Sequence, residues 1–189
     1  MQNLNPTLWR TCKMLAGSTR IRLLRQLHEH PGECVSALGK RSGIGEPAAS
    51  QELRRIQSRG LLQAERRGSF LIYHLAADPQ VSSAAPILKA MQSALSTLPP
   101  ESDEKMCTIA SGLSHVRRIR IVQALQKAPQ PLPDLQYALR ISSHPFQKHL
   151  RTLRASGFVV TEGKRIQFSV PDHPLAKALS KLLQQGVSR

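Results

Sequence analysis

Ser50, Gln51 and Arg54 stand close enough in sequence to share one face of a helix, where a hydroxyl, a carboxamide and a guanidinium would project side by side. Such groups do no covalent chemistry. They hydrogen-bond base edges and phosphates, and a glutamine pairs bidentately with adenine. The face is set by an apolar stripe, Ala49, Leu53 and Ile56 at i, i+4 and i+7, which turns Pro47, Ser50, Gln51 and Arg54 outward and leaves Glu46 near the helix start. Ninety-seven residues later the same places hold His144, Gln147, Lys148 and Arg151. Lys148 can meet guanine or a phosphate. Arg66 with Arg67, and Lys164 with Arg165, lie downstream of these helices in basic loop tips suited to minor-groove or phosphate contact. The alternative for them is ordinary solvated hairpin charge.

Each candidate face needs a helix and a hairpin to position it. A turn with Gly43 and Gly45 leads into the first helix, and Gly60 ends it. Two strands follow, Leu61 to Glu65 and Phe70 to Leu75, joined through Arg66-Arg67-Gly68. Upstream, LWRTCKMLA over 8–16 reads as a helix, Ser18 caps a second that runs to Pro31, and a short third covers Val35 to Lys40. After a connector from Ala76 to Pro86, a helix from Ile87 to Leu98 shows a broad apolar face, and Pro99-Pro100 breaks the chain. Helix, turn, helix and basic hairpin in this order form the reading element of a winged helix-turn-helix.

The pattern then recurs. Arg20 to Leu27 matches Arg118 to Leu125 at an offset of 98, with apolar positions coinciding throughout. At an offset of 97, Ile44 falls on Ile141, Ala49 on Phe146, Leu53 on Leu150, Arg54 on Arg151, Ile56 on Leu153 and Gly60 on Gly157. Past the hairpin the offset is 95, so the second wing, at Gly163-Lys164, is shorter by two residues, a change suited to a loop tip. Two copies of one domain are expected: 1–98, a linker at 99–103, and a diverged copy over 104–189. The fold class is mainly α with small β-hairpin wings (α+β), as tandem winged helix-turn-helix domains in a pseudo-two-fold arrangement. Residues 1–7 and 99–104 are expected to be flexible.

Composition narrows the partner. Twenty-seven Lys and Arg against twelve Asp and Glu give a formal charge of +15 over 189 residues, the balance of a chain that meets a polyanion. The excess is even, with 13 basic and 6 acidic side chains in residues 1–98 and 14 and 6 in 99–189, so it does not sit in a tail. No apolar run approaches the ~20 residues of a membrane span, and the first ten residues lack a signal-peptide core; a cytoplasmic protein with no membrane partner is expected. Cys12, Cys34 and Cys107 are too few and too scattered for a disulfide framework. No phosphate loop, carboxylate pair or nucleophile constellation stands out, so no enzyme is expected. Aromatic residues, at 4%, are too sparse for single-stranded RNA stacking platforms.

LAGSTRIRLLRQL and GLSHVRRIRIVQAL both resemble the second-helix signature of the ArsR-type winged-helix repressors, and ASQELRRIQSRGLL with LIYHL is similar to that family's recognition helix and final strand. FQKHLRTLRASGFVV and IQFSV repeat these less closely. The resemblance implies a bacterial regulator of transcription, a repressor, that reads double-stranded DNA. Family members are normally one-domain homodimers on an inverted repeat; two copies in one chain imply a monomeric pseudo-dimer, with a homodimer of four reading units as the other arrangement. Recognition helices one DNA turn apart, ~34 Å, then meet two unequal half-sites, because the two faces differ.

The family's soft-metal sensors carry a Cys-Val-Cys triplet. Here it is Cys34-Val35-Ser36, the second copy has Leu132-Pro133-Asp134, and the closing helix lacks the family's other ligands, so neither metal nor cofactor is expected. A cluster of Cys34, His28 and His30 is the remaining metal option. Glu33 beside Cys34 is expected to raise the thiol's pKa. The competing function from another class is a protein-binding tandem winged-helix scaffold of the chromosome-segregation type, for which an acidic or apolar surface would be expected in place of the basic one.

Overall fold

The computed structural model describes residues 7–186. In chain order the elements are α1 (Leu8–Leu15), α2 (Ser18–Glu29), α3 (Val35–Arg41), α4 (Glu46–Gln57), β1 (Gln63–Arg67), β2 (Phe70–His74), α5 (Ala84–Thr97), a 3₁₀ turn (Pro100–Ser102), α6 (Asp103–Gly112), α7 (Val116–Lys127), β3 (Gln130–Pro131), α8 (Leu132–Leu139), α9 (Ser143–Ala155), β4 (Val159–Glu162), β5 (Arg165–Phe168) and α10 (Pro174–Gln184). The protein is mainly helical with small antiparallel hairpin sheets, an α+β composition. No helix among the described residues is long and apolar enough to cross a membrane.

The chain divides into two compact units: unit 1 over 17–107, and unit 2 made of 7–16 with the stretch from 108 onward. The sequence expectation of 1–98 and 104–189 differs at both seams. α1 belongs to unit 2, and its Leu8, Cys12 and Leu15 are fully buried. The expected linker is ordered as the 3₁₀ turn and the start of α6. Of the expected flexible start, residues 1–6 lie outside the described residues, and Thr7 is the N-cap of α1.

In unit 1 the stripe works as its spacing predicts. Ala49, Leu53 and Ile56 are fully buried beside Ile21, Leu24 and Leu38, each large aliphatic side chain contributing about 1.5–3 kcal/mol. Ser18 opens α2 as its first helical residue and does not cap it; Gly17 holds the cap position. Gly60 ends the turn after α4 at φ +74°, and a Cβ there would stand 2.9 Å from Val81 Cβ. The first strand begins two residues later than expected because Leu61 and Leu62 fill the core, while the second begins at Phe70 as expected. β1 pairs antiparallel with β2 from Gln63 opposite His74 to Arg67 opposite Phe70, so Arg66 and Arg67 lie within the strand and Gly68-Ser69 make the turn.

Arg25 sits on the buried side of α2. An arginine on an amphipathic helix is expected to face water, but Arg25 is 5% exposed. Its Nε and Nη2 donate to the two carboxylate oxygens of Asp103 at 2.8 and 2.7 Å, and Nη1 and Nη2 reach the carbonyls of Leu95 and Leu98 at 3.2 Å. The Asp103 hydrogen bond, against the cost of burial, raises the pKa of the guanidinium. This fork joins α2 to the end of α5 and the start of α6, which is why residues 99–104 are ordered.

Unit 2 keeps the order of helices and hairpin. Its sheet is three-stranded, β3-β5-β4, where unit 1 has only an isolated bridge between Cys34 and Ile72 beside its hairpin. Phe146, at the place of Ala49, and Phe158 are fully buried. Gly157 repeats Gly60 at φ +77°, its virtual Cβ 2.9 Å from Pro171 Cγ. Histidines cap two helices: His115 Nδ1 accepts from Arg117 N at 3.0 Å, and His173 Nδ1 from Leu175 N at 3.1 Å.

Candidate nucleic-acid interface

In unit 1 the buried stripe of α4 leaves Glu46, Pro47, Gln51 and Arg54 exposed and Ser50 half-buried. Gly45 holds the cap position and Pro47 lies in the first turn, where a missing N–H costs nothing. The hairpin returns to this face. Glu46, Ser50, Arg54, Arg66, Phe70 and Cys34 are among the residues lining one cleft of about 310 Å³, so helix and wing residues that the sequence placed apart come together. Phe70, 59% exposed, adds an apolar wall that charge-based reasoning missed.

The two arginines of this hairpin are not equivalent. Arg67 Nε and Nη2 donate to Glu65 at 3.0 and 3.2 Å, and His74 Nε2 lies 3.2 Å from the same carboxylate. The Arg67 hydrogen bond lowers the pKa of Glu65, so the pair is charged and largely self-neutralising. Arg66 and Arg54 make no ion pair with a described carboxylate, and both are exposed. Of the two hairpin candidates, Arg66 therefore presents uncompensated charge.

In unit 2, His144, Gln147, Lys148 and Arg151 are exposed on α9, and Lys164 and Arg165 on the hairpin. Lys148, Arg151, Lys164 and Arg165 likewise pair with no described carboxylate. Arg154, which sequence reasoning passed over, extends this surface and bonds Thr161 Oγ1 at 3.2 Å. Arg140 was also missed. It ends α8 in the left-handed region at φ 52°, at the position where the first copy has Gly43 at φ +70°. An arginine held there is strained by about 1–2 kcal/mol. With Gln136, Tyr137 and Ser142 it lines a cleft of about 690 Å³ at the α8–α9 turn. The missing glycine at the aligned turn was the available signal.

Cys34 corrects a second expectation. Glu33 does not govern it, because Arg41 holds that carboxylate at 2.9 and 3.0 Å. The Cys34 pKa is lowered, chiefly by the Ser36 hydroxyl 3.1 Å from Sγ. Burial pushes Cys12 the other way, up to about 12. His28 Nε2 lies 3.0 Å from Ser96 Oγ, and no group of three or more His, Cys, Asp or Glu among the described residues is placed to hold a metal.

Comparison with protein families, characterised proteins and solved structures gives no match. What the two faces can do is therefore read from their own side chains: donate hydrogen bonds, present uncompensated positive charge, and do so from a helix and a hairpin together.

Proposed function

We propose that this protein is a sequence-specific, double-stranded DNA-binding regulator of transcription, a cytoplasmic repressor, whose units act as two winged helix-turn-helix readers of the ArsR type. One observation carries the reading. In both units the exposed face of the helix before the hairpin, together with the hairpin itself, bears cations without acidic partners: Arg54 and Arg66 in unit 1, and Lys148, Arg151, Lys164 and Arg165 in unit 2. Cations of this kind attract the phosphate backbone and fix register, while Gln51, Gln147 and Ser50 discriminate base edges. The formal charge of +15 steers the encounter. Because the two faces present different side chains, the operator consists of unequal half-sites, and the chain binds it as a monomer or as a homodimer.

Selection from random duplexes, followed by affinity against salt for the winning site and for a scrambled one, tests this. A paired, unequal site bound about 10³-fold or more above the scramble supports the reading. Equal affinities that collapse together in salt would overturn it, leaving only nonspecific attraction.

A further inference from the structure

Arg20 and Glu52 of unit 1 correspond to Arg118 and His149 of unit 2, at the offsets of 98 and 97 that align the two copies. In unit 1 the first pair is an ion pair: Arg20 Nη1 donates to Glu52 Oε2 at 2.8 Å, with side chains 20% and 15% exposed. In unit 2 the carboxylate has become an imidazole, and the arginine has lost its counter-charge. Arg118 keeps one bond, from Nη2 to Ser114 Oγ at 2.7 Å, while its Nε is buried without an acceptor. His149 is 9% exposed, and its Nδ1 is buried without a partner.

The charges that act on His149 and His115 are cationic. The His149 ring stands 4.6 Å, centroid to centroid, from that of His115, the N-cap of α7. His115 Nδ1 is occupied by the Arg117 amide, which leaves Nε2 as its proton-bearing nitrogen when neutral. Arg117 adjoins on α7, Lys148 on α9 and Lys13 on α1, and no carboxylate among the described residues contributes to the field at His115 or His149. Burial, then the charges of His115, Arg118, Arg117 and Lys148, push His149 down to about 4. Burial likewise lowers Arg118, with the Cys12 thiol acting in the opposite direction. Two unsatisfied buried polar groups beside the N-terminus of a 12-residue helix mark a place where negative charge is missing.

We propose that Arg118, His149 and His115 form a binding site for a phosphate-class oxyanion, which supplies the negative charge that the Glu52 carboxylate supplies in unit 1. Arg118 Nε and the two imidazoles are its donors, and the α7 N-terminus favours its charge. Binding draws a proton onto His149, since an anion stabilises the imidazolium that the empty cluster disfavours. His149 lies on the inner side of α9, next in sequence to Lys148 and two residues from Gln147, so occupancy bears on the seating of that face. The oxyanion is either free phosphate, in which case the site stands apart from the DNA-reading proposal, or a backbone phosphate of a duplex, in which case it rests on that proposal.

Ring-nitrogen NMR of the full chain separates these at constant ionic strength, with chloride as the balancing salt. Inorganic phosphate that moves the His149 and His115 resonances toward the protonated form, and raises the melting temperature above the chloride control, supports a free-anion site. Movement with duplex but not with phosphate assigns the ligand to the DNA backbone. No movement with either overturns the proposal. His149→Glu restores the carboxylate of unit 1; it is expected to melt higher without phosphate and to lose the phosphate response, and a retained response overturns the site. His149→Gln, closer in size and uncharged, is expected to weaken phosphate binding at least about tenfold, and unchanged affinity counts against the site whether or not the Glu variant folds. The phosphate arm needs no DNA, so its outcome is independent of whether the chain reads an operator.

Discussion

Unit 1 pairs its half-buried Arg20 and buried Arg25 with acids, and unit 2 does not make the matching pairs. Arg20 meets Glu52 and Arg25 meets Asp103 in the first; the aligned positions of the second hold Arg118 with His149, and Gln123 in place of Arg25. Yet Leu53 and Leu150, Ile56 and Leu153, and Gly60 and Gly157 keep their roles in both. The difference teaches that the helix-hairpin frame rests on its apolar stripe and its helix-ending glycine. The polar layer beneath α4 and α9 is free to change from a sealed ion pair to an open charge. Buried ion pairs add little net stability over well-packed alternatives, which is why such a layer can drift, but breaking one from a single side is costly.

The largest expected effect comes from breaking the sealed half. Arg25→Ala strands the buried Asp103 carboxylate and should cost about 3–5 kcal/mol in urea unfolding, whereas Gln123→Ala in unit 2 should stay within about 1 kcal/mol. Equal losses would erase the contrast. Next, Gly60→Ala and Gly157→Ala should cost about 1–3 kcal/mol each, through positive φ and the close approach of Val81 or Pro171, and similar values for both would show that this part of the frame is shared. On duplex DNA, Arg54→Ala and Lys148→Ala should each lower affinity about tenfold and reduce the salt slope by about 1, while Arg22→Ala, exposed on α2, should leave the slope unchanged.

A smaller gain is expected from Arg140→Gly, which relieves the left-handed strain that Gly43 avoids in unit 1; about 1 kcal/mol of added stability is the predicted result by thermal melting. The least disruptive probe is thiol alkylation across pH. Cys34 should react in the folded chain below the pH expected of an ordinary thiol, because its thiolate form is favoured, while Cys12, raised to about 12, should react only on unfolding. Comparable rates for the two would contradict their assigned environments.

Much of this was legible from spacing. The stripe of Ala49, Leu53 and Ile56 located α4 and its outward face, and the 97-residue offset carried that face to α9. What escaped was long-range. The burial of Arg25 is not readable locally, because its partner lies 78 residues away in a segment that prolines mark as a break. The apolar face of α1 shows that it will be buried, but local periodicity does not say in which core. Glu52 against His149 was visible as an aligned difference, yet it carries meaning only once Arg20 is seen to touch Glu52. Arg67 kept its place as a wing residue while losing its free charge to Glu65, a pairing set by how the side chains fold over the hairpin.

The membership of α1 in unit 2 has a consequence for how the chain can be divided. A gene split or a protease nick between 98 and 104 leaves α1 on the first fragment, and so deprives unit 2 of Leu8, Cys12 and Leu15. The same cut, if made before Asp103, takes from unit 1 the carboxylate that Arg25 grips. Neither fragment is then a finished fold, and the two are expected to be recovered as complementing halves that regain structure on mixing.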